Sequence, residues 1–143
     1  MLETNENKQV VAIGECGLDK LCTAPLQLQA EVFKRHVVLS EQYRLPLIIH
    51  CVKALDELLY IKKELSPTLP WIWHGFRGKP QQLQQLLKAG FYISFGFKYN
   101  RESLMACPSE RMFLETDDDP RPIHLLYEQV LKEREYSYSP PLF

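Results

Sequence analysis

Four residues able to bind a divalent cation stand where runs of apolar, strand-like sequence give way: Glu15 after VVAIG, His50 at the end of LPLIIH, His74 after WIW and Asp117 at the end of MFLET. Two imidazoles and two carboxylates suit zinc, manganese or magnesium. A cation held this way polarises a phosphoryl or carbonyl oxygen and lowers the pKa of a water. Taken singly, each residue has a plainer reading, because a carboxylate after a strand caps helices and a histidine at a strand end is often a satisfied core group. The repetition of one position in four of the five strand units carries the inference.

The elements that must hold these residues follow from hydrophobic period. Short apolar runs predict strands at Val10–Gly14, Leu45–His50, Trp71–Phe76, Phe91–Phe95 and Met112–Thr116. Helical spacing predicts helices over Pro25–Tyr43, Lys53–Leu65, Pro80–Ala89 and Ile123–Glu135, with a short turn or helix at Ser103–Ala106. Proline opens the first and third of these helices, and Gly90 follows the third. Strand and helix in regular alternation mean parallel strands with helical crossovers, and strands apolar at nearly every position mean burial on both faces. In such α/β folds the C-terminal ends of the strands form the functional edge, so residues distant in sequence converge there.

Other polar residues read more plainly. His36 lies within a helix and His124 opens one, and Asp118 and Asp119 before Pro120 look like loop and capping acids. Cys16 and Cys51 adjoin Glu15 and His50 but should point to the opposite face. Lys53, Arg77, Lys98 and Arg121 occupy loops after strands, as phosphate-binding cations or as solvated ones.

The 143 residues suit one domain with a real core, and a net charge of −1 argues against a broad basic surface that coats nucleic acid. The polar start MLETNENKQ has no apolar signal segment, the apolar runs are too short to span a bilayer, and the four cysteines form no CxxC pair. A cytoplasmic protein with reduced thiols and no membrane partner is expected.

Four segments resemble the TatD family of metal-dependent hydrolases. AIGECGLD at Ala12–Asp19 is similar to the family's AIGExGLDY, PLIIHC at Pro46–Cys51 to its PxxIH strand, WIWHGFRG at Trp71–Gly78 to its third motif, and MFLETD at Met112–Asp117 to its LLLETDxP strand. Order and separations match from about Val10 to about Val130. The resemblance implies a (β/α)₈ TIM-type barrel related to the amidohydrolases, here partial, with about five parallel βα units corresponding to the fourth to eighth. It implies two divalent cations (magnesium, manganese or zinc) and a deoxyribonuclease in which metal-activated water attacks phosphorus. By position, Glu15 matches the bridging carboxylate, His50 and His74 the two histidines of one metal, and Asp117 the aspartate of the other; the resemblance thus makes Asp117 and Glu15 the implied catalytic carboxylates, with Asp117 accepting a proton from the water. Asp19 matches the motif's second acid and is assigned, with Lys53 and Arg77, to substrate binding. The DNA partner is expected to be single-stranded or frayed.

The sequence departs from the pattern at both ends. The family's first strand carries an H-x-H pair that these residues lack, so about three βα units of a barrel of about 250 residues are missing and the site holds one metal or none. After Val130 the chain runs out in LKEREYSYSPPLF, with 136–143 read as a loose tail of an otherwise single domain. Five strands cannot close an eight-stranded barrel, so a homo-oligomer covering the open edges is expected. Gly75 stands where the family has Cys, and Lys20 where it has Tyr. Two alternatives remain beside the nuclease: a catalytically inactive or scaffold-like remnant, and an amidohydrolase-like esterase or amidase.

Overall fold

The computed structural model describes residues 9–137. Strands and helices alternate: β1 (Ile13–Asp19), α1 (Leu26–Tyr43), β2 (Leu47–Val52), α2 (Leu55–Leu65), β3 (Trp71–Trp73), α3 (Pro80–Lys88), β4 (Tyr92–Phe95), α4 (Arg101–Ala106), β5 (Met112–Leu114) and α5 (Ile123–Ser137), with a 3₁₀ turn at Ser109–Arg111. The five strands form the parallel α/β arrangement that the alternation predicts, and they divide between two compact units, 9–74 with 89–91 and 75–88 with 92–137.

In the first unit β2 pairs in parallel with β1 on one side and β3 on the other; Leu47 stands opposite both Ile13 and Trp71. Helix α1 buries Phe33, Val37 and Ser40, which recur every three or four residues on one face, and α2 buries Leu58 and Ile61. Trp71, on β3, is fully buried and meets the rings of Phe33 and Phe91 edge-on at 5.1 and 5.8 Å. Both helices end on a left-handed residue, Arg44 and Ser66, whose N–H returns to the carbonyl of Ser40 and Lys62.

In the second unit β4 and β5 are parallel, with Ile93, Ser94 and Phe95 opposite Met112, Phe113 and Leu114. Phe76 packs edge-on against Phe95 at 5.9 Å, and α3 contributes buried Leu83 and Leu86. Asn100 caps α4 by accepting from the Ser103 N–H at 3.0 Å. Helix α5 buries Leu126 and Val130 and is tied to the end of α4 by Arg134, which donates to the carbonyls of Leu104 and Cys107 at 2.7 and 2.9 Å.

Element limits differ from the sequence reading in three informative places. β1 begins at Ile13 and continues through Asp19, so Glu15 lies inside the strand and not after it. Helix α2 starts at Leu55, because Lys53 is left-handed (φ 54°) and cannot belong to its first turn. Helix α5 runs to Ser137; from 138 onward the expected loose tail lies outside the described residues. Among the described residues no helix is long and apolar enough to cross a membrane.

Candidate metal centre

A bulge decides which way Glu15 faces. Ile13 pairs with Leu47 and Cys16 with Ile49, so β1 advances three residues while β2 advances two. Simple alternation would put Glu15 on the buried face with Ile13. The extra residue resets the phase: Ile13, Cys16 and Leu18 are buried, while Gly14 and Glu15 are exposed. Gly17 then sits directly against His50, its partner on β2, at φ 151°. A Cβ there would lie 1.9 Å from the His50 carbonyl oxygen, so only glycine permits this approach.

His50 follows from the alternation of β2, in which Leu47 and Ile49 are buried and His50 takes the other face. His74 is the first residue after β3, and its N–H donates to the Ile49 carbonyl at 3.0 Å. The three side chains meet. Glu15 Oε1 is 3.3 Å from His74 Nε2 and 3.8 Å from His50 Nδ1, and the imidazole centroids are 6.1 Å apart. One ligand atom from each lies within 4.8 Å of the others. Ligands about 2.1 Å from a tetrahedral ion are separated by roughly 3.4 Å, so the cluster matches the span of a coordination sphere. Nitrogen–nitrogen–oxygen donors suit a zinc- or manganese-class cation.

Asp19, at the end of β1, supports this group. His50 Nε2–H donates to Asp19 Oδ2 at 3.1 Å, and the Leu21 N–H donates to Asp19 Oδ1 at 2.8 Å. The His50 hydrogen bond is the main cause, and the Leu21 one the next, that holds the Asp19 carboxyl below its ordinary pKa. The neighbouring thiols are of a different kind. Burial pushes Cys16 up to about 12 and Cys51 up to about 11, which keeps both protonated as small apolar side chains.

The other expected site residues fall as follows. Lys53 is exposed immediately after β2. Asp117 and Arg77 belong to the second unit, where both line a cleft with Gly75, Gly96 and Lys98. Asp117 is exposed and left-handed at φ 51°. Among the described non-glycine residues of positive φ, Arg44 and Ser66 are helix caps; Lys53 and Asp117 instead follow strands, and such strain concentrates at functional edges. Arg121, read as a loop cation, is paired with Asp119 through two bonds of 2.8 and 2.9 Å, and its guanidinium lies 3.7 Å from the Phe97 ring centroid.

Two polar residues, one in each unit, were not singled out from the sequence. Glu115 lines the same cleft and accepts from Ser94 Oγ at 2.7 Å. Gln29, an ordinary polar helix residue by sequence, accepts from the Asp19 N–H at 2.7 Å and donates to the carbonyls of Asp19 and Ala24 at 3.0 and 2.8 Å.

The family model of TatD-related DNases matches residues 1–133. An uncharacterised metal-dependent hydrolase of Bacillus subtilis, YabD, is 29 % identical over an alignment that covers 96 % of this chain and 62 % of that protein. The 3'-5' ssDNA/RNA exonuclease TatD of Klebsiella pneumoniae is 36 % identical, covering 76 % of this chain and 45 % of its own length. The crystal structure of the TatD homologue YjjV from Escherichia coli superposes on 93 % of this chain and 58 % of that one, with a TM-score of 0.75 at 24 % identity; the five units thus match part of a TIM-barrel fold. The chain therefore spans about half to three fifths of these relatives. By the extent of the family match, the chain belongs to the TatD-related DNase family.

Proposed function

We propose that the chain acts in metal-dependent hydrolysis of phosphodiester bonds, as a deoxyribonuclease working on single-stranded or frayed DNA. The convergence of Glu15, His50 and His74 from three consecutive strand units carries this reading. The names of relatives support the substrate class: the Klebsiella protein is a 3'-5' ssDNA/RNA exonuclease, and the yeast relative from Schizosaccharomyces pombe is a deoxyribonuclease.

Glu15, His50 and His74 would hold a divalent cation, which when bound would supply Lewis-acid polarisation of the scissile phosphate and lower the pKa of the attacking water. Asp117 is assigned as a proton acceptor by its place in its own motif, and its carboxylate is exposed. Arg77 and Lys53, exposed cations that follow strands, are assigned to phosphate oxygens by residue type. The charge balance fits a narrow grip on one or two phosphates, because a chain of net charge −1 has no general excess of cations to neutralise a duplex.

The test is cleavage of an end-labelled single-stranded DNA oligonucleotide, with a matched RNA, in manganese, magnesium or zinc and in chelator. Cation-dependent shortening of the DNA is expected, reduced by about 100-fold or more in Asp117→Ala and abolished in Glu15→Ala. Turnover that persists in chelator, survives both substitutions, or is absent with all three cations overturns the reading.

A further inference from the structure

We propose that Asp19 and Gln29 are positioning residues for His50: Asp19 selects the imidazole tautomer that carries hydrogen on Nε2, so that Nδ1 is the ligating atom, and Gln29 locks Asp19 in place. The inference deepens the metal-centre reading and rests on it for its consequence.

The argument begins with donors and acceptors. An ionised carboxylate only accepts, so the nitrogen of His50 that faces it must carry the hydrogen. That nitrogen is Nε2, 3.1 Å from Asp19 Oδ2, while Nδ1 faces Glu15 Oε1 at 3.8 Å. Each imidazole edge therefore has one task, as where a carboxylate orients a metal-binding histidine. Asp19 in turn is fixed on every polar atom. Oδ1 accepts from the Leu21 N–H, and its carbonyl accepts from the Cys22 N–H at 3.1 Å. Gln29 takes the Asp19 N–H on Oε1 and gives both Nε2 hydrogens to the carbonyls of Asp19 and Ala24. The side chain of one residue in the opening turns of α1 thereby pins the end of β1 and the loop that follows it.

This arrangement separates a positioning role from a merely structural one. In Asp19→Asn the amide oxygen can keep the Leu21 hydrogen bond, which turns the amide NH₂ toward His50. The NH₂ donates, so it favours bare Nε2 and hydrogen on Nδ1, the opposite tautomer.

The experiment is long-range ¹H–¹⁵N correlation of the His50 ring in the metal-free full chain, at a pH where imidazole is neutral, combined with manganese titration. Wild type is expected to show hydrogen on Nε2, Asp19→Asn to shift toward hydrogen on Nδ1, and Gln29→Leu to show a mixture. Manganese affinity is expected to fall by about 10- to 100-fold in both variants. A His50 tautomer unchanged in both variants overturns the proposal, as does a wild type already protonated on Nδ1. If the tautomer shifts as stated but manganese binds neither wild type nor variant, the positioning of His50 stands and the metal reading fails. Equal manganese affinity in all three proteins with an unchanged tautomer overturns the positioning alone.

Discussion

Acids in the two units meet different partners. In the second unit two acids near Asp117 are satisfied from within: Glu115 takes the Ser94 hydroxyl, and Asp119 holds Arg121 through two bonds. In the first unit Glu15 is half exposed and faces two imidazoles, whose nitrogens are themselves electron-pair donors unless protonated. An acid that finds a hydroxyl or guanidinium is part of the scaffold. Oxygen and nitrogen donors from three strand units that converge within the span of one coordination sphere point to a cation. Residue type does not separate these cases, since both units carry carboxylates; the partner does.

The sharpest way to break the contrast is through the backbone that brings Glu15 and His50 together. Gly17→Ala is expected to cost about 3 kcal/mol in denaturant unfolding, because the new Cβ meets the His50 carbonyl at 1.9 Å and must displace one strand from the other. A change below about 0.5 kcal/mol would show that the close approach does not constrain the site.

The second unit should yield less at its own glycine. Gly75 is left-handed at φ 65°, and among the described residues a Cβ there would have only Glu115 Oε1 near it, at 3.4 Å. Gly75→Ala is expected to cost about 1 kcal/mol by conformational strain alone, read by the same unfolding measurement. A cost as large as that of Gly17→Ala would erase the distinction between strain and collision.

The smallest expected effect is electrostatic. The Arg121 hydrogen bonds lower the Asp119 carboxyl from 3.8 to about 2. Its folded pKa is depressed, so the contribution to stability is present above the unfolded value near 4 and is lost as pH falls toward 2. The carboxyl should titrate near 2 by NMR in wild type and return toward 4 in Arg121→Ala. An unchanged midpoint would show that the pair does not persist in solution.

Much of this was legible from the chain. Parallel βα units followed from apolar runs alternating with helical spacing, and His50 and His74 could be placed because each closes or follows a strand whose neighbours are apolar. Glu15 converges with His50 and His74 but was misplaced in its element. Apolar character ends at Gly14, whereas the strand continues to Asp19 through residues whose exposed face is polar. The bulge that turns Glu15 outward depends on pairing with β2 and has no local signature beyond glycines at 14 and 17. Asp19 was read as a substrate-binding residue because the motif supplies the acid but not its partner, which lies 31 residues away. Gln29 left no trace, since a glutamine in a polar helical stretch looks solvated until the loop folds back over it.

Calorimetric titration of the metal-free chain with manganese or zinc tests the cation site most directly. One binding event is expected, lost in Glu15→Ala and in His74→Ala and retained in His36→Ala, whose ring bonds its own helix at Val32. Heat of binding that is absent in wild type, or unchanged when Glu15 and His74 are removed, would contradict it.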